Sequence, residues 1–359
     1  MSRIETLRRQ MAEQGLDAFL VTSEPNVRYL SGYKGKDAAL LVTGSEALLI
    51  TDFRYVEQAA REAPGVEVVD RKKDGLVEHA GAQAAKRWTK RLGIEPAHLT
   101  LFAYKRLAAA FAGELVETDS LVERLRMIKS PEEIDDIRRA ISIAERSFRE
   151  LRRELVHCAT ENEAAGLLDY ILRKHGAAGA SFETIVAAGP HSSQPHAQPA
   201  GLPLRGSSLL LFDWGAAVEG YHSDSTRCLL SPRIDDELKS VYNIVSDAQE
   251  QAFMKIEPGV KASDVDAAAR NWIARTGYGD CFGHGAGHGV GMEVHELPTI
   301  NARNEEPLKK GMVFTVEPAI YLAGRGGIRI EDIVLVSENG FEKLTSLPRA
   351  ADFFLEEWL

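Results

Sequence analysis

The chain is predicted to fold as an α/β domain over residues 1–124 followed by an α+β domain over residues 125–359. Three observations predict it. At 359 residues the chain is long for one core and comfortable for two domains. Apolar runs of strand length alternate with helical patterns up to about residue 124, as in an α/β unit. Beyond that point long amphipathic helices are interleaved with two hairpins that carry acids among their hydrophobes.

In the first domain, Ile4, Leu7 and Met11 recur at helical spacing over residues 4–15, and Gly15 ends that helix. Residues 18–21 read as a short buried strand, and residues 38–42 and 47–50 as two strands joined at Thr43-Gly44-Ser45. Residues 52–63 are helical in pattern, Val66, Val68 and Val69 form the next strand, residues 76–92 another helix, and Gly93-Ile94-Glu95-Pro96 a strand and turn. This part shows no metal-ligand spacing and no phosphate-binding glycine loop, and His79 and His98 read as surface or linker residues. At the boundary Ser130 is a good N-cap, Pro131 suits the first helical position, and Glu133 completes a capping box. A long helix runs from there to about residue 155. The next covers residues 162–175, with Thr160 and Glu163 as its capping pair.

Hydrophobic residues make up 44% and charged residues 27% of the chain, as in an ordinary soluble protein. A formal net charge of −10 argues against a nucleic-acid-binding surface. Cys158, Cys228 and Cys281 are scattered and odd in number, which reads as a reducing compartment without a disulfide framework. The N-terminus lacks the apolar stretch of a secretory signal, and no apolar run is long enough to span a membrane. Cytoplasm is the expected location.

Chemistry collects in the second domain. A strand over residues 181–188 leads into the Pro- and Gly-rich loop that holds His191 and His196. Leu209–Phe212 then run straight into Asp213, and the chain turns and returns with Asp224 inside YHSDSTR. A turn centred between Val218 and Glu219 would set Asp213 directly opposite Asp224, with Cβ atoms about 4.5–5.5 Å apart. Carboxylates that close repel unless one is protonated or a cation sits between them. The plain alternative is that Asp213 ends the strand and Asp224 is a solvated turn residue. After helices over residues 235–254 and 263–277 comes CFGHGAGHGVGMEVHELP, with His284, His288 and His295 among glycines. As a phosphate loop this stretch fails, since no GK[ST] follows. His288 and His295 are an odd number apart, so a regular strand would point them to opposite faces. A second hairpin runs Met312–Val316 into Glu317-Pro318, turns at Ala323–Gly327, and carries Glu331-Asp332 on its return. Acids among strand hydrophobes are almost never buried without a partner. Four carboxylates and a histidine loop suit a dinuclear site, and the oxygen excess leans towards Mn²⁺, with Co²⁺, Zn²⁺ or Fe²⁺ as the other candidates.

At these residues the chain resembles the pita-bread metallopeptidase family, in its aminopeptidase P and prolidase branch. NVRYLSGY, TDFRYVEQA, LRMIKSPEEI, PHA, FDWGA, GYHSDSTR, GHGVGMEVHE, TVEPAIY and GIRIEDIVLV carry the resemblance, in order, over nearly the whole length. It implies a first domain of the creatinase/prolidase N-terminal kind and a pita-bread catalytic domain. It implies that Asp213, Asp224, His288, Glu317 and Glu331 hold two divalent ions, with Asp224 and Glu331 bridging both. His196 and His295 would bind substrate and the tetrahedral intermediate, His284 would line the substrate site, Glu317 would move the proton of the attacking water, and Tyr321 and Arg329 would support substrate binding. All five ligand positions are intact, which argues against metal-free relatives such as creatinase, and the first domain argues against methionine aminopeptidase. The implied substrates are peptides with proline second, and the implied assembly is a homodimer. In some prolidases an arginine that grips the dipeptide carboxylate lies four residues after the histidine of VHE, where this chain has Thr299. That tilts the expectation towards aminopeptidase P-like cleavage of longer peptides, with Xaa-Pro dipeptidase as the alternative and a catalytically inactive peptide-binding protein of the same fold as the non-enzyme alternative.

Overall fold

A computed structural model describes residues 2–349, and contacts divide the chain into two compact units, Met1–Arg126 and Met127–Leu359. The first unit is a mixed six-stranded sheet in the order β4-β3-β2-β1-β5-β6. Its strands are β1 (Ala18–Val21), β2 (Ala39–Thr43), β3 (Ala47–Thr51), β4 (Glu67–Asp70), β5 (Arg91–Ile94) and β6 (Glu114–Glu117). Its helices are α1 (Arg3–Glu13), α2 (Glu24–Ser31), α3 (Val56–Glu62), α4 (Leu76–Lys86), α5 (Leu101–Ala110) and α6 (Leu121–Arg126). The β1–β2 and β2–β3 pairs are antiparallel and the others parallel. Two expected helices are shorter than their patterns. The helix of residues 76–92 ends at Lys86, because Trp88 adopts a positive φ of 58° and Arg91 begins β5. The helix of residues 52–63 begins only at Val56, because Asp52 is buried and accepts hydrogen bonds from Arg54 and Arg71.

The second unit opens with α7 (Pro131–Glu154), where Ser130 and Glu133 form the reciprocal capping bonds that the sequence calls for. It continues with α8 (Glu161–Lys174), α9 (Asp236–Phe253) and α10 (Ala262–Arg275). Before α9 lie β7 (Gly179–Ala180), β8 (Ile185–Ala188), β9 (Leu209–Trp214), β10 (Ala216–Val218), β11 (Tyr221–His222) and β12 (Ser225–Leu230). After α10 lie β13 (Gly287–Gly289), β14 (Glu296–Ile300), β15 (Val313–Val316), β16 (Ala319–Leu322), β17 (Gly326–Arg329), β18 (Asp332–Val336) and β19 (Phe341–Lys343). Strand β9 separates two cores. Leu209 and Leu211 pack with α9 and α10, while Leu210, Phe212 and Trp214 pack with α7 and α8. Trp214 stacks on Phe148 with ring centroids 4.1 Å apart and donates its indole N–H to the Ala144 carbonyl at 3.0 Å. By strand alternation Asp213 continues the Leu209–Leu211 face.

The first hairpin has a different register from the expected one. Asp213 faces Thr226, not Asp224, and Ala217 faces His222. The turn is Glu219-Gly220, with φ of 48° and 75°, the two positive values that a two-residue hairpin turn needs to match strand twist. Shifting the centre by one residue moves the partner by two, so Asp224 keeps its side of the ladder and becomes a diagonal neighbour of Asp213. In the second hairpin Val316 faces Asp332 and Ala319 faces Arg329. Glu317 and Glu331 therefore occupy matching positions between those pairs.

Candidate metal centre

Each acid sits where a hairpin passes from one sheet to another. Asp213 lies near the end of β9, Asp224 just before β12, Glu317 between β15 and β16, and Glu331 between β17 and β18. At these switches the backbone bonds sideways. The Glu317 N–H donates to the Ala286 carbonyl at 2.8 Å, and the Glu331 N–H to the Thr226 carbonyl at 3.2 Å. The second hairpin is thereby tied to the histidine loop and to the first hairpin. His288 lies in β13, between β14 and β15. Glycine at 287 is required there, because a Cβ would lie 1.9 Å from the Thr315 carbonyl oxygen. Residues 290–295 leave the strand between β13 and β14, so no strand period links the two histidines, and their ring centroids lie 4.2 Å apart despite the odd spacing.

The five expected ligands converge. Ligand atoms of Asp213, Asp224 and Glu331 lie within 4.8 Å of one another, as do those of His288, Glu317 and Glu331, and those of Asp224, His288 and His295. His288 Nε2 is 3.3 Å from Glu317 and 3.6 Å from Asp224. Its Nδ1–H donates to the Gly289 carbonyl at 3.2 Å, a contact that leaves Nε2 as the lone-pair nitrogen facing the acids. Glu331 accepts from the Thr226 hydroxyl at 2.7 Å, Glu317 from Thr315 at 3.4 Å, and Asp213 from Arg329 at 2.5 Å.

The electrostatics call for a cation. Burial, then repulsion from Glu331, Asp213 and Glu317, pushes the Asp224 carboxyl well above its ordinary value. Burial, then Glu317 and Asp213, does the same to Glu331, and burial raises Glu317. Burial lowers His284, His288 and His295, so their imidazoles favour the neutral, metal-binding form. Asp213 Oδ1 and Asp224 Oδ1 are buried and have no hydrogen-bond partner among the described residues. Four carboxylates, two of them with an orphaned oxygen, one guanidinium and a neutral imidazole fit a divalent metal, which would satisfy those oxygens and remove the repulsion.

The remaining expected residues surround this cluster. A cavity of about 510 Å³ is lined by His196, His284, His295, Tyr321, Arg329 and all five expected ligands, with Phe182, Ile185, Pro195 and Thr299 on its walls. That size suits a small peptide. Arg329 is only 4% exposed, and it donates to Asp213, to Thr226, to the Pro195 carbonyl and to the Tyr321 hydroxyl. Burial opposes its charge, but Tyr321, Asp213 and Glu317 hold it protonated. Tyr321, whose pKa burial pushes up to about 12, donates its O–H to His284 Nε2 at 3.1 Å. The chain Asp213–Arg329–Tyr321–His284 is therefore continuous.

Several residues of the site carry weaker sequence signals. Thr226 follows Asp224 by two and Thr315 precedes Glu317 by two, so strand alternation puts each hydroxyl on its acid's face. The helical clamps have no such signal. Asp266 on α10 accepts from the Ala286 N–H at 3.0 Å, and Arg270 one turn on donates to the Phe282 and His284 carbonyls. Glu161 on α8 accepts from the N–H groups of Ala188 and Ala200 and contacts His191, closing the loop that carries His196.

Comparison with known proteins identifies the family of both domains. The model of metallopeptidase family M24 matches residues 135–338, and that of the creatinase/prolidase N-terminal domain matches residues 3–128. An Xaa-Pro dipeptidase of Pyrococcus horikoshii is 35% identical over 94% of this chain and 95% of its own. A solved Xaa-Pro dipeptidase from Bacillus anthracis is 37% identical, with a TM-score of 0.92 over 97% of this chain and 98% of its own. A solved X-Pro aminopeptidase from Thermotoga maritima is 39% identical, with a TM-score of 0.86 over 95% of this chain and 99% of its own.

Proposed function

The chain belongs to metallopeptidase family M24, and from that premise we propose that it is a dinuclear Xaa-Pro dipeptidase. The observation that carries this reading is the convergence of Asp213, Asp224, His288, Glu317 and Glu331 around two orphaned aspartate oxygens. Asp224 and Glu331 each belong to two of the converging sets, which supports two ions held by the five residues, with Asp224 and Glu331 the residues that would serve both. Mn²⁺ suits the oxygen-rich donor set, and Co²⁺, Zn²⁺ and Fe²⁺ fit it less closely. The three cysteines are unpaired, which supports the cytoplasm as the compartment, and a homodimer is the assembly this reading carries.

Divalent ions held there supply Lewis acidity and an activated water near neutral pH. The Glu317 carboxylate takes the proton of that water and returns it to the proline nitrogen, which as a tertiary amide has no proton of its own. His196 and His295 line the cavity, where their N–H groups can receive the developing oxyanion and the substrate carboxylate. Arg329 acts on Asp213 and Tyr321 through the bonds it already makes, and Tyr321 orients His284, so both support the substrate site from behind.

The two relatives named Xaa-Pro dipeptidases support a dipeptide substrate over the longer peptides that Thr299 suggests. Cleavage of the same bond in longer peptides is the second reading, favoured by Thr299 on the cavity wall and by the likeness to the Thermotoga maritima aminopeptidase. The deciding experiment is hydrolysis of Xaa-Pro and Xaa-Pro-Xaa by metal-stripped protein with Mn²⁺ restored. Faster cleavage of the dipeptide is the expected result. Cleavage of the tripeptide with the dipeptide poor would assign the aminopeptidase, and activity on neither would end the Xaa-Pro reading.

A further inference from the structure

We propose that Gln249, on α9, is a positioning residue that sets the spacing of Glu317 and Glu331. It rests on the reading of those two glutamates as metal ligands. Gln249 is fully buried, and its Nε2 donates to the Val316 carbonyl at 2.9 Å and to the Ile330 carbonyl at 3.2 Å. These are the peptide groups immediately before Glu317 and Glu331. One amide, with one N–H for each carbonyl, therefore spans the two strands of the second hairpin directly beneath its two acids.

At that level the hairpin has little else to hold it. The ladder pairs Val316 with Asp332 and resumes at Ala319 with Arg329. In the gap the Glu317 and Glu331 N–H groups turn away to Ala286 and Thr226, and the Ile330 N–H reaches the Pro318 carbonyl at only 3.4 Å. The Gln249 amide stands in for the missing rung. Its orientation follows from the acceptors, since a flipped amide would set Oε1 against two carbonyl oxygens. Oε1 is buried with no hydrogen-bond partner among the described residues. An apolar residue would fill this core without that cost, so the two N–H groups are what glutamine adds here. Loss of an outer-shell group that orients metal ligands typically costs about ten- to a hundredfold in metal affinity or activity.

The test compares Gln249→Met, which keeps length and loses both donors, with Leu151→Ala, a core truncation on α7 that sets the effect of lost stability alone. Mn²⁺ titration calorimetry, the thermal midpoint of the metal-free protein and kcat and KM on Xaa-Pro are measured for both. Gln249→Met should weaken Mn²⁺ binding by about ten- to a hundredfold and lower kcat more than it raises KM, whereas Leu151→Ala should keep Mn²⁺ affinity within about twofold. Mn²⁺ affinity within about twofold of wild type in Gln249→Met would overturn the assignment. Should Gln249→Met not fold, Gln249→Asn, with the donors retained one methylene short, decides by the same criterion. A wild type that binds Mn²⁺ but cleaves no Xaa-Pro peptide would end the dipeptidase reading and leave the Gln249 comparison intact. A wild type that binds none of Mn²⁺, Co²⁺ or Zn²⁺ would end both.

Discussion

Thr226 sits between the two groups that most need placing, donating its O–H to Glu331 and accepting from Arg329 Nε at 2.9 Å. It is fully buried, so an isosteric apolar replacement leaves Glu331 and Arg329 each one hydrogen bond short. Thr226→Val is expected to weaken metal binding by about ten- to a hundredfold while changing the fold little. Competition with a chelator, followed by Mn²⁺ titration, measures it. Unchanged affinity would mean that Arg329 and Asp213 alone hold the cluster. The residue was visible in YHSDSTR only as a neighbour of Asp224, and strand alternation gives it the acid's face. Arg329 is different. The resemblance casts it as a support of substrate binding, and at 4% exposure its guanidinium is bound to Asp213, Tyr321, Thr226 and the Pro195 carbonyl.

At the scale of the element, the histidine strand is squeezed between β14 and β15, and glycine is what permits it. A methyl group at position 287 would meet the Thr315 carbonyl oxygen at 1.9 Å, backbone that cannot yield without parting β13 from β15. Gly287→Ala is expected to destabilise the protein by about 1–3 kcal/mol and to displace His288 from Glu317. Denaturant unfolding gives the first quantity and metal affinity the second. Stability equal to wild type would show that the strands can part at no cost. The hairpins teach a complementary lesson. The first turn lies at Glu219-Gly220, where glycine supplies one positive φ freely and Glu219 adopts the other at 48°, one position later than symmetry about Val218-Glu219 suggests. The acids survive that shift on one side because side-chain direction has a period of two.

Over the whole molecule, the carboxylate cluster links stability to both pH and metal. The folded-state pKa values of Asp224, Glu317 and Glu331 are raised, chiefly by burial. Their contribution to the metal-free protein is therefore full below the ordinary carboxylate values and is lost as pH rises through the raised ones. Metal binding has the opposite slope, because it requires the ionised acids and neutral His288. The rise in melting temperature on adding Mn²⁺ should thus be small near about pH 5 and larger near about pH 8. Calorimetric scans with and without metal at both values check it. A shift independent of pH would mean that the acids are already ionised in the metal-free fold. No helix among the described residues is long and apolar enough to cross a membrane.

By itself the sequence determined the two-part organisation, the capped start of α7, and the two acid-bearing hairpins with a histidine loop between them. These are local matters: capping pairs, strand periods and acids among hydrophobes act over a few residues, and each leaves its pattern in the chain. Only the tertiary structure decided how the hairpins lock together, through Glu317 to Ala286 and Glu331 to Thr226, and which side chains hold them. Gln249, Asp266, Arg270 and Glu161 reach their targets from helices, across separations that no periodicity encodes. The bulge beside His288 and the early end of α4 belong to the same class. Both are settled by what packs against the backbone, and close packing is a property of surfaces brought together from distant parts of the chain.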